Sequence, residues 1–160
     1  MNQADVLAVL NDPVSRRLID SSNPVRLAYT GKDGFPRVVP LAFHWNGSQF
    51  VIGTIPGSAK TGTLAVNPKV AMTIYTTAFP PNVLLVRGTA SLELVDGVPD
   101  EYIEANRKQI PAGMFPEWQN GVRHLYKEMV LIKVTPEWAK VMDFETRLPR
   151  SVEKAVRAAF

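Results

Sequence analysis

Residues 25–53 read VRLAYTGKDGFPRVVPLAFHWNGSQFVIG, and the fold follows from how that stretch divides. Val25 to Thr30 alternates, the period of a strand with one face buried. Lys32-Asp33-Gly34 supplies a hairpin turn, and Arg37 to Trp45 reads as a second strand. Asn46-Gly47 is a short hairpin signal before a third strand, Gln49 to Gly53, so the three are expected to form a meander. Alternation in the second strand puts Val38, Pro40, Ala42 and His44 on one face and Arg37, Val39, Leu41, Phe43 and Trp45 on the other.

Working outward, a helix is expected around Ala4 to Leu10. Asp12 caps a second, with Pro13 at its first position, that runs to Asp20 and stops at Ser21-Ser22-Asn23-Pro24. Downstream, a loop of small residues precedes a short helix from Ala59 to Val66, and Asn67-Pro68 breaks the chain before a strand from Val70 to Tyr75. Phe79-Pro80-Pro81-Asn82 leads into a long strand, Val83 to Val95, in which Gly88 signals a bulge or bend. Asp100–Gln109 and Pro116–Lys127 read as helices, Met129–Thr135 and Trp138–Asp143 as strands separated by Pro136-Glu137, and Ser151–Phe160 as an amphipathic tail helix.

The sum is a mainly β, α+β chain whose short antiparallel strands close into a small barrel. One domain is expected over 1–160: N-terminal helices in 1–24, barrel strands in 25–95, a helical insertion in 99–127, closing strands in 129–144 and a tail in 145–160.

Composition narrows the function. The absence of cysteine excludes disulfides and thiolate metal sites, and two histidines far apart, His44 and His124, make a metal centre unexpected. His44 is read as an interior strand residue paired to backbone, His124 as a surface helix residue. No apolar run approaches the roughly 18 residues of a membrane span, and the N-terminus lacks a signal-peptide pattern, so a cytoplasmic protein with no membrane partner is expected. The formal net charge of +3 is scattered along the chain, without the clustered stripe that nucleic acid requires. It favours small anions instead.

An anion has one candidate seat. In Gly53-Thr54-Ile55-Pro56-Gly57-Ser58, glycine lets backbone approach a ligand, Thr54 and Ser58 bring hydroxyls, and Lys60 brings a full charge at the start of a helix. Lysine there opposes the helix dipole, a penalty that an anion reverses. The alternative is a tight strand-to-helix turn with an exposed lysine. The phosphate loop of nucleotide hydrolases is excluded, because its glycine–lysine–serine order is missing. A second wall is the strand around Pro40. Proline has no N–H to give, so it marks a sheet edge or an opened ladder whose free backbone groups can meet a planar heterocycle.

Together, LAYTGKDGFPRVVPLAFHWNGSQFVIGT, GSAKTGTLAVNPKVAMTIYTT, VLLVRGTASL and LIKVTPEWAKVMDF resemble, in that order, the pyridoxamine 5′-phosphate oxidase-like split-barrel flavoproteins and the wider flavin/deazaflavin oxidoreductase group. The resemblance spans about Val25 to Phe144. It implies a six-stranded antiparallel split barrel, a homodimer, and an FMN in a cleft between subunits. It places strand contacts at Arg37, Val38, Val39 and Pro40, further contacts at Gly53 and Thr54, and the phosphate on Ser58, Ala59 and Lys60. Asn82 and Val83 correspond to a segment that meets the ring from the partner, and Trp138 to a closing aromatic segment.

Departures exist. Ala59 stands where many relatives carry a basic residue, and Lys60-Thr61-Gly62-Thr63 lacks the arginine and asparagine common in users of the deazaflavin F420. The basic pocket for a pyridoxine phosphate is not evident either. The expected function is FMN-dependent oxidoreduction of a small organic substrate, with no catalytic residue named and Arg37 steadying charge on the reduced ring. The alternatives are an F420-dependent reductase, a non-catalytic flavin or haem protein, or a plain dimeric binding module. Trp45, Phe79, Phe115 and Trp118 are the large apolar residues expected to serve a dimer interface.

Overall fold

Helix α1, Gln3–Leu10, begins with a capping box in which the Asn2 side chain accepts from the Asp5 amide and Asp5 answers to the Asn2 backbone, in a computed structural model that describes residues 1–159. Helix α2, Pro13–Asp20, starts as its sequence indicates, with Asp12 accepting from the Val14 amide at 2.8 Å and Pro13 at the first position.

Seven strands follow: β1 Val25–Thr30, β2 Pro36–Leu41, β3 His44–Trp45, β4 Phe50–Thr54, β5 Lys69–Tyr75, β6 Val83–Asp96 and β7 Glu128–Met142. The short helix α3, Ala59–Leu64, lies between β4 and β5. The helices α4, Asp100–Arg107, and α5, Phe115–Leu125, lie between β6 and β7. Helix α6, Arg150–Ala159, ends the described chain; Phe160, expected in that helix, lies outside the described residues.

All pairings are antiparallel, in the order β2-β1-β5-β6-β7-β4-β3. The outermost strands, β2 and β3, are consecutive in the chain and separated only by Ala42 and Phe43. Three Cα steps reach at most about 11 Å, whereas seven strands laid flat span about 29 Å. The sheet must therefore roll until its edges approach, which makes a split barrel of seven strands, one more than the six that the resemblance implies.

Three strand expectations are corrected. The span from Arg37 to Trp45 is not one strand, and the first three strands are not a meander: β2 pairs only with β1, while β4 pairs with β3 and β7. The chain crosses the split at Ala42-Phe43, where the Phe43 side chain turns wholly inward. Conversely, Pro136-Glu137 does not divide β7. The register shifts between Arg87 and Gly88, so that Arg87 faces Trp138 and Gly88 faces Pro136, and Glu137 is the extra residue of a bulge. Gly88 makes this possible, since a Cβ there would lie 2.2 Å from the Thr135 carbonyl oxygen.

One side of the sheet is the barrel core. Leu27, Phe43, Phe50, Ile52, Met72, Ile74, Leu84, Val86, Ile132 and Val134 meet Val6, Leu10, Leu18 and Ile19 from α1 and α2, so the N-terminal helices pack into the same cluster. A second cluster, Val98, Ile103, Phe115, Val122 and Met129 with Tyr102, Trp118 and Tyr126, anchors α4 and α5 to the ends of β6 and β7. The four large apolar residues expected at a dimer interface stand differently in the single chain. Trp45 packs on Phe50 with ring centroids 4.6 Å apart, and Phe115 and Trp118 belong to the second cluster. Of the four residues, Phe79 alone is exposed.

Candidate functional site

Ser58 caps α3 with extended backbone, yet its hydroxyl makes no capping bond. Its Oγ is buried and has no hydrogen-bond partner, while its carbonyl accepts from the Thr61 amide at 3.0 Å and the Thr61 hydroxyl at 2.8 Å. A buried hydroxyl left unpaired costs roughly 1–3 kcal/mol, so it demands a reason. Lys60, two residues on, is half-buried, and burial lowers its pKa from the ordinary lysine value. Among the described residues no carboxylate forms an ion pair with it. At six residues, α3 contributes little dipole, so side chains must do any holding of an anion.

The turn between β1 and β2 faces this helix. Tyr29, Gly31, Lys32, Asp33 and Arg37 line a cavity of about 290 Å³ together with Ala59 and Thr63. Arg37 therefore sits beside Ala59. It is held by Asp33, whose Oδ2 accepts from Nη2 at 2.6 Å; that bond, with the Phe35 amide, lowers the Asp33 carboxyl's pKa. Lys32 Nζ lies 3.7 Å from where a Cβ on Gly62 would stand. Lys32, Gly31 and Asp33 were not singled out from sequence as site residues. The available signal was the charge pattern itself, Lys32-Asp33 followed four residues after Asp33 by Arg37.

Strand β2 is a sheet edge, as Pro40 indicates. The Gly31 amide donates to the Phe35 carbonyl at 2.8 Å, which fixes Tyr29–Arg37, Leu27–Val39 and Val25–Leu41 as the hydrogen-bonded pairs with β1. Pro36, Val38 and Pro40 then direct their backbone groups away from the sheet. Two of the three have no N–H, so Val38 presents one outward donor among carbonyl acceptors. Val39 packs against the core, whereas Val38 and Pro40 are exposed.

The outer face of the same strands carries a second cavity, about 490 Å³, lined largely by apolar groups of Ala28, Val38, Ala71, Leu85 and Trp138 with Arg26 and Arg87 at its sides. The two guanidinium groups lie over aromatic rings, Arg87 on Trp138 and Arg26 on Tyr75, each 4.2 Å from the ring centre. Val38 and Trp138 thus share one surface. Gly53 serves packing: a Cβ there would meet the Tyr102 ring at 2.5 Å, so α4 closes over β4 at that point, beside the buried Thr54. Asn82 and Val83 open β6, and Val83 pairs with Tyr75. That is six strand positions, about 20 Å, from Lys69, which follows α3. Within one chain they lie at the end of β5 away from its connection to α3.

An anionic group fits the chemistry of the α3 turn: it holds an orphaned hydroxyl and a half-buried lysine with no counter-ion among the described residues, and Ala59 and Thr63 of the same helix share a cavity with Arg37. A planar ring has a free strand edge one residue beyond Arg37. Among the described residues no cluster of three or more histidine, cysteine, aspartate or glutamate side chains suits a metal, and no helix is long and apolar enough to cross a membrane.

Comparison with known proteins agrees with this fold. An F420 reductase is 23% identical, with 78% of this chain and 94% of that one covered and a TM-score of 0.60. A conserved hypothetical protein from Mycobacterium tuberculosis is 16% identical over 94% of this chain and 90% of that one, also at 0.60. HutZ, the haem storage protein from Vibrio cholerae, is 17% identical over 82% and 93%, at 0.56. At these identities the likeness is one of fold. No curated protein matches the chain. The family profile described as pyridoxamine 5′-phosphate oxidase matches residues 12–143, from the cap of α2 to the residue after β7. The chain belongs to the pyridoxamine 5′-phosphate oxidase family.

Proposed function

We propose that the protein is an FMN-binding oxidoreductase of a small organic substrate, working as a homodimer. The observation that carries this reading is the buried, unpartnered Ser58 Oγ beside Lys60. A phosphate monoester satisfies both, accepting from the hydroxyl and neutralising the lysine. Arg37 shares a cavity with Ala59, so in this reading its guanidinium serves the phosphate rather than the ring. The outward groups of Pro36, Val38 and Pro40 offer the ring one donor and several acceptors.

When bound, FMN supplies two-electron redox chemistry, and the protein's part is binding and orientation. Val38 and the half-buried wall of Trp138 keep water from one side. For the dimer, support comes from the apolar outer sheet face, where Val38 is 63% exposed. Further support comes from Asn82 and Val83, whose place at the end of β5 away from α3 suits them to a partner's seat.

The test is a spectrum and a titration. Purified protein with an oxidised flavin spectrum that takes up FMN stoichiometrically upholds the reading. Uptake of F420 and not FMN, or a haem Soret band in place of flavin, replaces it with the corresponding alternative. Protein that binds none of them refutes it.

A further inference from the structure

Gly31 is not explained by its backbone. It does not adopt the left-handed φ seen at Gly34 in the same turn, so an alanine is conformationally permitted. What excludes a side chain is the ion pair above it: a Cβ on Gly31 would lie 2.7 Å from Asp33 Oδ1, 3.1 Å from Arg37 Cζ and 3.2 Å from Arg37 Nη2. The pair fills the space that a Gly31 side chain would take. Asp33 is fixed in turn, because its Oδ1 accepts from the Phe35 amide at 3.1 Å while Oδ2 accepts from Arg37 Nη2 at 2.6 Å. Arg37 Nη1 also reaches the Phe35 carbonyl at 3.5 Å.

Stability does not account for this arrangement. The side chains of Arg37 and Asp33 are 44% and 52% exposed, and a surface pair of that kind adds little to folding. Orientation does account for it. A guanidinium has five N–H donors in a rigid fork, and two are occupied here, which leaves three for a ligand. The cavity those donors border includes Ala59, whose methyl adds no charge.

We infer that Gly31 and Asp33 are positioning residues: they form a cradle that aims the Arg37 guanidinium across the α3 turn at the ligand's phosphate. This rests on the reading of Ser58 and Lys60 as the phosphate seat. Because the atoms blocking a Gly31 side chain are the ends of two flexible side chains, a methyl there displaces the pair and leaves the fold intact.

The test titrates the full-length chain with FMN and with riboflavin, which has the same ring and no phosphate. Gly31→Ala is expected to weaken FMN about tenfold, the worth of one misaligned charge-assisted bond, with riboflavin affinity and apo-protein melting unchanged. Adding Gly31→Ala to Arg37→Ala is expected to produce no further loss of FMN. Asp33→Glu, which keeps the charge and moves the carboxylate by one methylene, is expected to weaken FMN selectively too, and it serves if the alanine variant folds poorly.

Equal losses for FMN and riboflavin, unchanged FMN affinity, or a Gly31 effect that persists without Arg37 each overturn the cradle. Lys60→Ala separates the two levels. If it weakens FMN selectively while the Gly31 and Asp33 variants do not, the cradle fails and the seat stands. If it too leaves FMN unchanged, the seat fails and the cradle with it.

Discussion

The junction of Asp12, Asp143 and Arg147 and the turn around Ser58 and Lys60 are both polar clusters at bends of the chain. They differ in how completely their atoms are satisfied. In the first, Asp143 accepts from the amides of Glu145, Thr146 and Arg147, from the Thr146 hydroxyl at 2.7 Å and from Arg147 Nε at 3.1 Å. Arg147 Nη1 continues to Asp12 Oδ2 at 2.7 Å, and the other oxygen of Asp12 caps α2. These bonds hold a turn in which Phe144 takes a left-handed φ of 58°, and they tie the residues after β7 to the second helix. In the second cluster a hydroxyl is buried without a partner and a lysine is desolvated without a counter-charge. A closed network explains itself as structure, whereas an orphaned hydroxyl next in the turn to an uncompensated lysine suits an anion.

The contrast breaks first at Lys60. Lys60→Ala is expected to weaken FMN by about 1.5–3 kcal/mol, the range for hydrogen bonds to charged groups, with melting of the apo-protein little changed. Isothermal titration and a melting scan read the two quantities separately.

Asp143→Ala is expected to do the reverse, lowering the melting temperature by several degrees while leaving flavin affinity alone. The Thr146 hydroxyl, aided by backbone amides and opposed by partial burial, holds the Asp143 carboxyl well below the usual carboxylate range. Its folded pKa is thus depressed, so the stabilisation is present above the unfolded value, near 3.8, and is lost as pH falls below it. Stability curves of the native protein and Asp143→Asn are expected to separate at neutral pH and converge in acid. A constant gap across that range would show that Asp143 acts otherwise.

Ser58→Ala sharpens the comparison, because one substitution should act with opposite signs on two measurements. Losing a donor to the phosphate is expected to cost about 1 kcal/mol of FMN affinity, while removing an unpaired buried hydroxyl leaves the apo-protein as stable or more so. The smallest effect belongs to Ser15, the other buried hydroxyl without a partner, which lies fully inside α2. Ser15→Ala is expected to leave flavin binding untouched and the protein as stable or more so, as scored by chemical denaturation and titration.

The sequence made the local parts of this fold legible. Asp12-Pro13 starts α2, alternation from Val25 to Thr30 makes β1, and Pro40 marks an edge, each because the deciding chemistry lies within a few residues. Misreadings occur where the deciding partner is far away. Leu41 to Trp45 carries no turn residue, and nothing local says that β2 and β3 belong to opposite edges. Pro136 looked like a strand break because the room for its bulge comes from Gly88, 48 positions earlier. Phe115 looked available because size alone does not tell a core residue from an interface residue. At the candidate site, Ser58 and Lys60 stood out from loop chemistry. Gly31 and Asp33 did not, since as a sequence they form an ordinary hairpin turn and gain meaning only when α3 lies against them.

The most direct measurement is a crystal structure of the protein with FMN bound. Phosphate oxygens are expected within hydrogen-bond distance of Ser58 Oγ and Lys60 Nζ, with the isoalloxazine edge along Val38 and Pro40. A phosphate lodged elsewhere, with Ser58 Oγ still unpartnered, would contradict this placement.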